Sequence, residues 1–232
     1  MRFSIVFPSR GRVPLLTKML ESLKYNTARI SEVEVLIAID QDDTTTKEFL
    51  DGAKYSFVRY FVVPRSLNFS WDYYTFLALQ STGQWIICAN DDCIFETDDW
   101  DALAYETLKD QPGIVYGWIE DGIGEWRAKG HGNYCCFPLQ GREGFEILGY
   151  IFPPRIPTWG ADIWAKMLYD SVNSVVILPF TMRHFCVHNF TREQDEISAR
   201  IARNQVSFGV RPTYEEVNKL LAALKEKQHA NC

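Results

Sequence analysis

The sequence predicts an α/β protein built on a mostly parallel sheet with helices on both faces. Three observations lead there. Strand and helix signals alternate through the first two-thirds of the chain. Segments such as Phe3-Ser4-Ile5-Val6-Phe7 and Trp85-Ile86-Ile87-Cys88-Ala89 read as buried strands. The second of these passes directly into Asn90-Asp91-Asp92. An acidic cluster at that point puts carboxylates on the carboxyl edge of the sheet, where open α/β folds bind their ligands.

Taken in order, the first strand ends at Phe7 and Pro8-Ser9-Arg10-Gly11-Arg12 forms a loop. Pro14 suits the first turn of a helix whose inner face carries Leu15, Leu16, Met19, Leu20 and Leu23. Val33 to Ile39 is the second strand and runs into Asp40-Gln41-Asp42-Asp43. Phe57 to Val63 is the third, closed by Pro64. Ser70 is placed to cap a helix through Leu79, with Asp72 in its first turn. Gly83 ends that helix and the strand Trp85 to Ala89 follows. Asp98 is placed to cap a helix through Lys109, and Ile114 to Ile119 is a further strand. The stretch from Gly117 to Gly160 is rich in glycine and proline without a strong period, which suits loops and short strands around a site. A helix over Asp162 to Tyr169 and a strand over Val175 to Leu178 come next. Thr191-Arg192-Glu193-Gln194 and Thr213-Tyr214-Glu215-Glu216 fit capping boxes. Val217, Leu220, Leu221 and Leu224 give the last helix an apolar face to pack on the core.

Composition bounds the function. The chain has 232 residues, 47% of them hydrophobic and 23% charged, which suits one large domain with a real core. A net charge of −6 gives no general attraction to nucleic acid or anionic membrane. No apolar run approaches a membrane span, and Met1-Arg2-Phe3-Ser4-Ile5 has no secretory pattern. The six cysteines form no CxxC pair, so a zinc site is unsupported and reduced thiols in a cytoplasm are expected. Gly122-Ile123-Gly124 lacks the third glycine of a dinucleotide fingerprint. Cys135-Cys136 suits packing better than nucleophilic chemistry.

Clustered carboxylates suit a hard divalent cation such as Mn2+ or Mg2+ that can hold a diphosphate, although Asp is also an ordinary turn residue. The ordered set of strand-Pro8-Ser9-Arg10-Gly11-Arg12, strand-Asp40-Gln41-Asp42 and strand-Asn90-Asp91-Asp92 resembles a GT-A glycosyltransferase of the family 2 type. The likeness is carried by residues 3–110 and is looser to about residue 195. Asn90-Asp91-Asp92 matches the DxD motif with Asn in place of the first acid, which removes one negative charge.

The resemblance implies a single GT-A domain over 1–232. Its nucleotide-sugar-binding half is 1–116, its acceptor-binding half 117–190, and its C-terminal helices 191–232. It implies transfer of a sugar from a nucleotide-sugar donor, a UDP-sugar first, to an acceptor hydroxyl. Pro8, Ser9 and Arg10 would line the nucleotide pocket, and Asp40 would accept from the base. Asn90 would lie near the ribose or diphosphate and Asp91 would support the sugar or metal. Asp92 would bind Mn2+ or Mg2+, joined by His188, which suits the late metal ligand better than His184. Asp162, in Trp159-Gly160-Ala161-Asp162-Ile163-Trp164, would be the general base of an inverting reaction. A first-turn Asp favoured by the helix dipole is its plain structural alternative.

The compact chain, its expected cytoplasmic character and the segment Val187-His188-Asn189-Phe190-Thr191 together resemble glycosyltransferases encoded by bacteriophages. Some of those modify hydroxymethylated pyrimidines in their own DNA, in the host cytoplasm. A strip of Arg127, Lys129, His131, Arg142 and Arg155 is the candidate DNA contact, and Trp126 or Trp159 the stacking platform. Two rival readings are a nucleotidyltransferase on a similar sheet, for which the Pro8–Arg12 loop is short and glycine-poor, and a non-catalytic sugar-nucleotide-binding module.

Overall fold

The computed structural model describes residues 2–128, 133–185 and 210–230, without the side chains of Trp126 and Arg127. The described residues form eight strands and eight α-helices. The strands are β1 (Phe3–Ser9), β2 (Val33–Asp40), β3 (Val58–Val63), β4 (Trp85–Cys88), β5 (Cys93–Phe95), β6 (Tyr116–Glu120), β7 (Leu139–Gly141) and β8 (Val175–His184). The helices are α1 (Val13–Asn26), α2 (Thr44–Gly52), α3 (Phe76–Gln80), α4 (Trp100–Leu108), α5 (Gly124–Ala128), α6 (Arg142–Leu148), α7 (Ala161–Asp170) and α8 (Tyr214–Ala230).

The strands form one sheet in the order β3-β2-β1-β4-β7-β6-β8-β5. β3, β2, β1 and β4 pair in parallel, β7 runs against β4 and β6, β8 runs parallel to β6, and β5 runs against β8. The expected mostly parallel α/β sheet is therefore present. β1, β2 and β4 lie at its centre and are buried along nearly their whole length. Pro8 sits inside β1 rather than after it, opposite Ala38. The position is tolerated because β4 pairs with β1 only as far as Val6, so no ladder bond is lost on that side. Gly83 leads into β4 where a Cβ would lie 2.5 Å from the Ser4 hydroxyl oxygen, so only glycine fits that approach.

Several local expectations change. The Ser70 segment begins as a π-helical stretch, Ser70–Thr75, before α3. Asn68, not Ser70, accepts from the Trp71 N–H at 3.1 Å, while the Ser70 hydroxyl donates to the Ile156 carbonyl. α4 starts from Asp99 in a left-handed conformation, with no side-chain cap from Asp98. Residues 117–160 hold two helices as well as short strands. β8 continues far beyond Leu178. Ile177 faces Trp118 and Thr181 faces Glu120, so three residues of β8 bulge against one of β6, and Pro179 sits in that bulge. A bulge is one of the few places a sheet accepts proline.

The second capping box forms as expected. The Glu216 N–H donates to Thr213 Oγ1 at 3.2 Å and the Thr213 N–H to Glu216 Oε2 at 2.6 Å. Glu216 also accepts from Arg155 and Tyr150, which fastens α8 to the core beside buried Leu220. Burial raises this carboxyl, but those hydrogen bonds outweigh it and draw it down to about 2. The Thr191 box lies outside the described residues. No described helix is long and apolar enough to cross a membrane.

Candidate active site

Strand direction assembles the site. β1, β2, β4, β6 and β8 all point the same way, so their carboxyl ends share one edge of the sheet. Those ends deliver Ser9, Asp40, Asn90-Asp91-Asp92, Asp121 and His184.

At the end of β2, Asp40 accepts from the Tyr73 hydroxyl at 2.5 Å and from Arg10 at 3.0 Å, with Arg65 at 3.7 Å. Arg10 also makes a two-nitrogen fork to Asp42, at 2.5 and 2.9 Å. That fork, against the cost of burial, raises the Arg10 guanidinium above its usual value and lowers the Asp42 carboxyl. Asp43 turns inward instead, accepts from the Thr46 and Gly11 N–H groups, and caps α2.

At the end of β4, the Ser9 hydroxyl donates to Asp91 at 2.8 Å and Arg12 reaches Asp91 at 3.1 Å and Asp92 at 3.7 Å. Burial raises the Asp91 carboxyl against the pull of Arg12. The Asn90 side chain turns toward Tyr74, whose hydroxyl lies 2.8 Å from Asn90 Oδ1.

His184 Nε2 lies 3.2 Å from Asp92 Oδ1. Its position is set by backbone. Cys93 faces His184 across the β5–β8 pair, the His184 N–H donates to the Asp121 carbonyl, and the Phe185 N–H donates to the Asp92 carbonyl. His188 lies outside the described residues. Asp121 is fully buried and accepts from the Ile123 and Cys136 N–H groups, joining two loops behind His184. Burial pushes the Cys136 thiol up to about 12 although His184 pulls it down, so it is no thiolate nucleophile.

Asp162 stands in the first turn of α7. Burial pushes its carboxyl up to about 6, helped by the charge of Asp121 and opposed by the Ile163 N–H and by His184. Gly160 precedes it at φ 93°, a conformation that favours glycine. The two neighbouring indoles differ in use. Trp164 is fully buried and donates to Glu216, while Trp159 is 47% exposed.

The expected basic strip is not continuous. Because β7 runs against β4, Arg142 follows it at the opposite, amino edge of the sheet, where it donates to the Gly83 carbonyl and Ser81 hydroxyl. Arg155 is neutralised by Glu216. The side chain of Arg127, with Lys129 and His131, lies outside the described residues.

Ser9, Arg10, Asp40, Asp91 and Asp92 thus come together, with Pro8 and Asn90 beside them and Asp162 in electrostatic reach of His184. Tyr73 and Asp121 were not foreseen, and His184 was weighed and set behind His188. Asp121 obeys the same strand-end rule as Asp40 and Asp91. His184 was set aside because it precedes the apolar residues Phe185-Cys186-Val187, whereas β8 in fact runs through Pro179 to His184 itself. Among the described residues no group of three His, Cys, Asp or Glu side chains is arranged to hold a metal ion. The pair Asp92–His184 offers one carboxylate and one imidazole. That donor set fits Mn2+ or Mg2+ of the kind that completes its coordination with waters and substrate phosphates.

The sheet and its acidic edge define a GT-A fold. The family model for "Glycosyl transferase family 2" matches residues 4–159, and the chain belongs to that family. No curated protein sequence matches it. Among solved structures it resembles the mannosyltransferase PcManGT from Pyrobaculum calidifontis, in complex with GDP-Man and Mn2+, at TM-score 0.62 and 13% identity. That alignment covers 79% of this chain and 56% of the other, so the chain spans little more than half that enzyme's length. It resembles S. aureus TarS 1–349 in complex with UDP at TM-score 0.62 and 13% identity, over 98% of this chain and 82% of the other. It also resembles GalNAc-T7 with UDP, GalNAc and Mn2+ at TM-score 0.60 and 15% identity, over 79% of this chain and 44% of the other.

Proposed function

We propose that the chain is a glycosyltransferase that moves a sugar from a nucleotide-sugar, a UDP-sugar first, to an acceptor hydroxyl. The observation that carries the reading is the Asp92–His184 pair at 3.2 Å, on the sheet edge that also holds Asp40 and Asp91. Asp92 and His184 would hold Mn2+ or Mg2+, which when bound supplies positive charge to the departing diphosphate. His184 is given this role because its strand register sets it against Asp92, while the expected ligand His188 lies outside the described residues.

The remaining roles belong to the protein's own groups. Asp40, ordered by Tyr73 and Arg10, offers an acceptor to the base. Pro8 and Ser9 shape the wall between base and diphosphate, and the amide of Asn90 lies beside the ribose. Asp91 carries Ser9 and Arg12 toward the same point. Asp162 takes the proton of the acceptor hydroxyl with inversion at the sugar carbon. A carboxyl near 6 is ionised at neutral pH and still a better base than an ordinary Asp. Trp159 offers an apolar face to the acceptor. With Arg142 and Arg155 engaged elsewhere, a modified-DNA acceptor rests on the phage likeness that includes the 187–191 segment.

The test is thermal stabilisation by UDP, GDP, UDP-sugars and GDP-mannose, with and without Mn2+, on wild type, Asp92→Ala and His184→Ala. A ligand that binds only the folded state raises the melting temperature. A Mn2+-dependent shift with one nucleotide, lost in both variants, is expected. No shift with any nucleotide overturns the reading.

A further inference from the structure

We propose that Glu216 is a positioning residue, which from the start of α8 holds the helix that carries Asp162 in a fixed place relative to the donor-side strand ends. The inference rests on the roles proposed above for Asp162 and Asp40 and deepens them.

The chain entering α8 meets the start of α7 at two points that bracket Asp162. A Cβ on Gly160 would lie 3.3 Å from both methyl groups of Val210, so the glycine turn packs directly against that residue. One turn into α7, the Trp164 indole N–H donates to Glu216 Oε2 at 3.3 Å. Trp164 is wholly buried, and a buried indole needs an acceptor for that N–H. With residues 160 and 164 both held, Asp162 between them is held too.

The same carboxylate reaches the other way. Its Oε1 accepts from the Tyr150 hydroxyl at 2.5 Å and from Arg155 at 2.6 Å, and its Oε2 accepts from Arg155 at 2.8 Å. Tyr150 and Arg155 belong to a segment whose backbone is pinned to the π-helical stretch Ser70–Thr75 and its lead-in. Asn68 Nδ2 donates to the Pro154 carbonyl at 3.1 Å, the Ser70 hydroxyl to the Ile156 carbonyl, and the Ser70 N–H to the Pro157 carbonyl at 3.2 Å. That stretch carries Tyr73, bonded to Asp40, and Tyr74, bonded to Asn90. One chain of bonds therefore runs from the ends of β2 and β4 through residues 150–157 to Glu216 and on to α7. Glu216 is its junction and is buried. A carboxylate suits the place because both of its oxygens accept, whereas a glutamine would turn an NH2 group toward Arg155 or the Thr213 N–H. A base displaced by about 1 Å loses about 10²-fold in rate, so a junction remote from the reacting atoms has a catalytic consequence.

The experiment compares the full chain as wild type, Glu216→Gln, Trp164→Phe and Leu220→Ala. Thermal stabilisation by UDP or GDP with Mn2+ reads the donor site. Hydrolysis of the UDP-sugar or GDP-mannose that stabilises wild type reads the base, with water as the acceptor. The third readout is the rise in melting temperature at pH 7.5 that Asp162→Asn produces in each background. That rise reports how deeply the Asp162 carboxylate is buried, and it shrinks if α7 shifts and water enters. Asp121, His184, Tyr116 and Cys136, which lie in electrostatic reach of Asp162, are the same in every protein. Glu216→Gln should keep the nucleotide shift and the donor KM, lose about tenfold or more in kcat, and show less than half of the wild-type rise. Trp164→Phe removes only the indole donor and should move kcat and the rise in the same direction by less. Leu220→Ala removes a buried side chain of α8 that makes none of these hydrogen bonds. It should lower the melting temperature and keep both kcat and the rise.

Wild-type kcat with the full rise in Glu216→Gln overturns the inference. So does an equal loss of kcat in Leu220→Ala, since rate would then follow the docking of α8 as a whole. If Glu216→Gln does not fold, Trp164→Phe decides, and an unchanged kcat and rise there overturn it. A wild-type nucleotide shift and an Asp162→Asn loss of kcat, with Glu216 silent, sink this inference alone. No nucleotide shift in wild type, or no effect of Asp162→Asn, sinks the proposed function and this inference with it.

Discussion

Among the described residues, Asp40 and Asp42 at the end of β2 share the arginines Arg10 and Arg65, and Asp91 and Asp92 at the end of β4 share Arg12. The first pair is partly open, with Asp42 half exposed, whereas the second is almost wholly buried. Water and two cations leave the β2 cluster close to neutral and screened, so it is suited to reading a polar ligand through hydrogen bonds. The β4 pair lies in a poorly screened place, against Arg12 and, for Asp92, His184. Buried carboxylates of that kind are costly to charge and are the arrangement found where charge develops during reaction. On the proposed reading, the same residue type at equivalent strand ends serves recognition in one place and chemistry in the other.

The hardest test of that division is Asp92→Ala. It should lower kcat/KM by about 10³-fold, measured as sugar transfer or donor hydrolysis, because charge stabilisation at the leaving diphosphate is lost. A loss under about tenfold would erase the distinction between the clusters. Asp162→Asn comes next, at about 10²-fold in kcat. The base works when deprotonated, so wild-type activity should rise with pH through about 6 and then level, and the variant should lose that limb. The stability consequence has the opposite sign. The folded carboxyl is raised to about 6, so folded protein holds the proton more tightly than unfolded chain. Stability falls as pH rises from about 4 to about 6 and is level above. Asp162→Asn should therefore raise the melting temperature at pH 7.5 while it removes activity. A variant that is both less stable and still active would make Asp162 a helix-terminus residue only.

What could be read ahead of the structure follows the same division. Strand ends marked by acids were legible because an apolar run that stops at Asp is a local pattern, and Asp40, Asp91 and Asp92 were found that way. The central strands were legible for the same reason. Arg10 was placed in the pocket as well, but which acid each of Arg10, Arg12 and Tyr73 reaches was not legible, since those contacts run between different strands and helices and no spacing records them. The Pro179 bulge shows a second limit. Proline normally ends a strand, and only the pairing with β6 and β5 reveals that β8 carries on to His184. α2 and α6 escaped because their windows are short, and the Asp43 cap of α2 lies inside the acidic run read as a strand end.

The β2 cluster offers the finest discrimination. Asp40 is buried and holds both Tyr73 and Arg10, so Asp40→Asn removes a charged acceptor and disturbs its two donors. A base hydrogen-bonded to that carboxylate should lose about 10-fold to 100-fold in donor KM, with little change in kcat. Asp42 touches the same Arg10 but faces solvent, and Asp42→Asn leaves Arg10 its bond to Asp40. The expected change in donor KM is within about threefold, because exposed pairs contribute little. Equal effects from the two substitutions would mean that the fork from Asp42 orients Arg10 and that Arg10, rather than Asp40, meets the base. Arg10→Lys separates these cases. It keeps the charge but loses the planar fork, so it should resemble Asp42→Asn if Asp40 reads the base and exceed Asp40→Asn if Arg10 does.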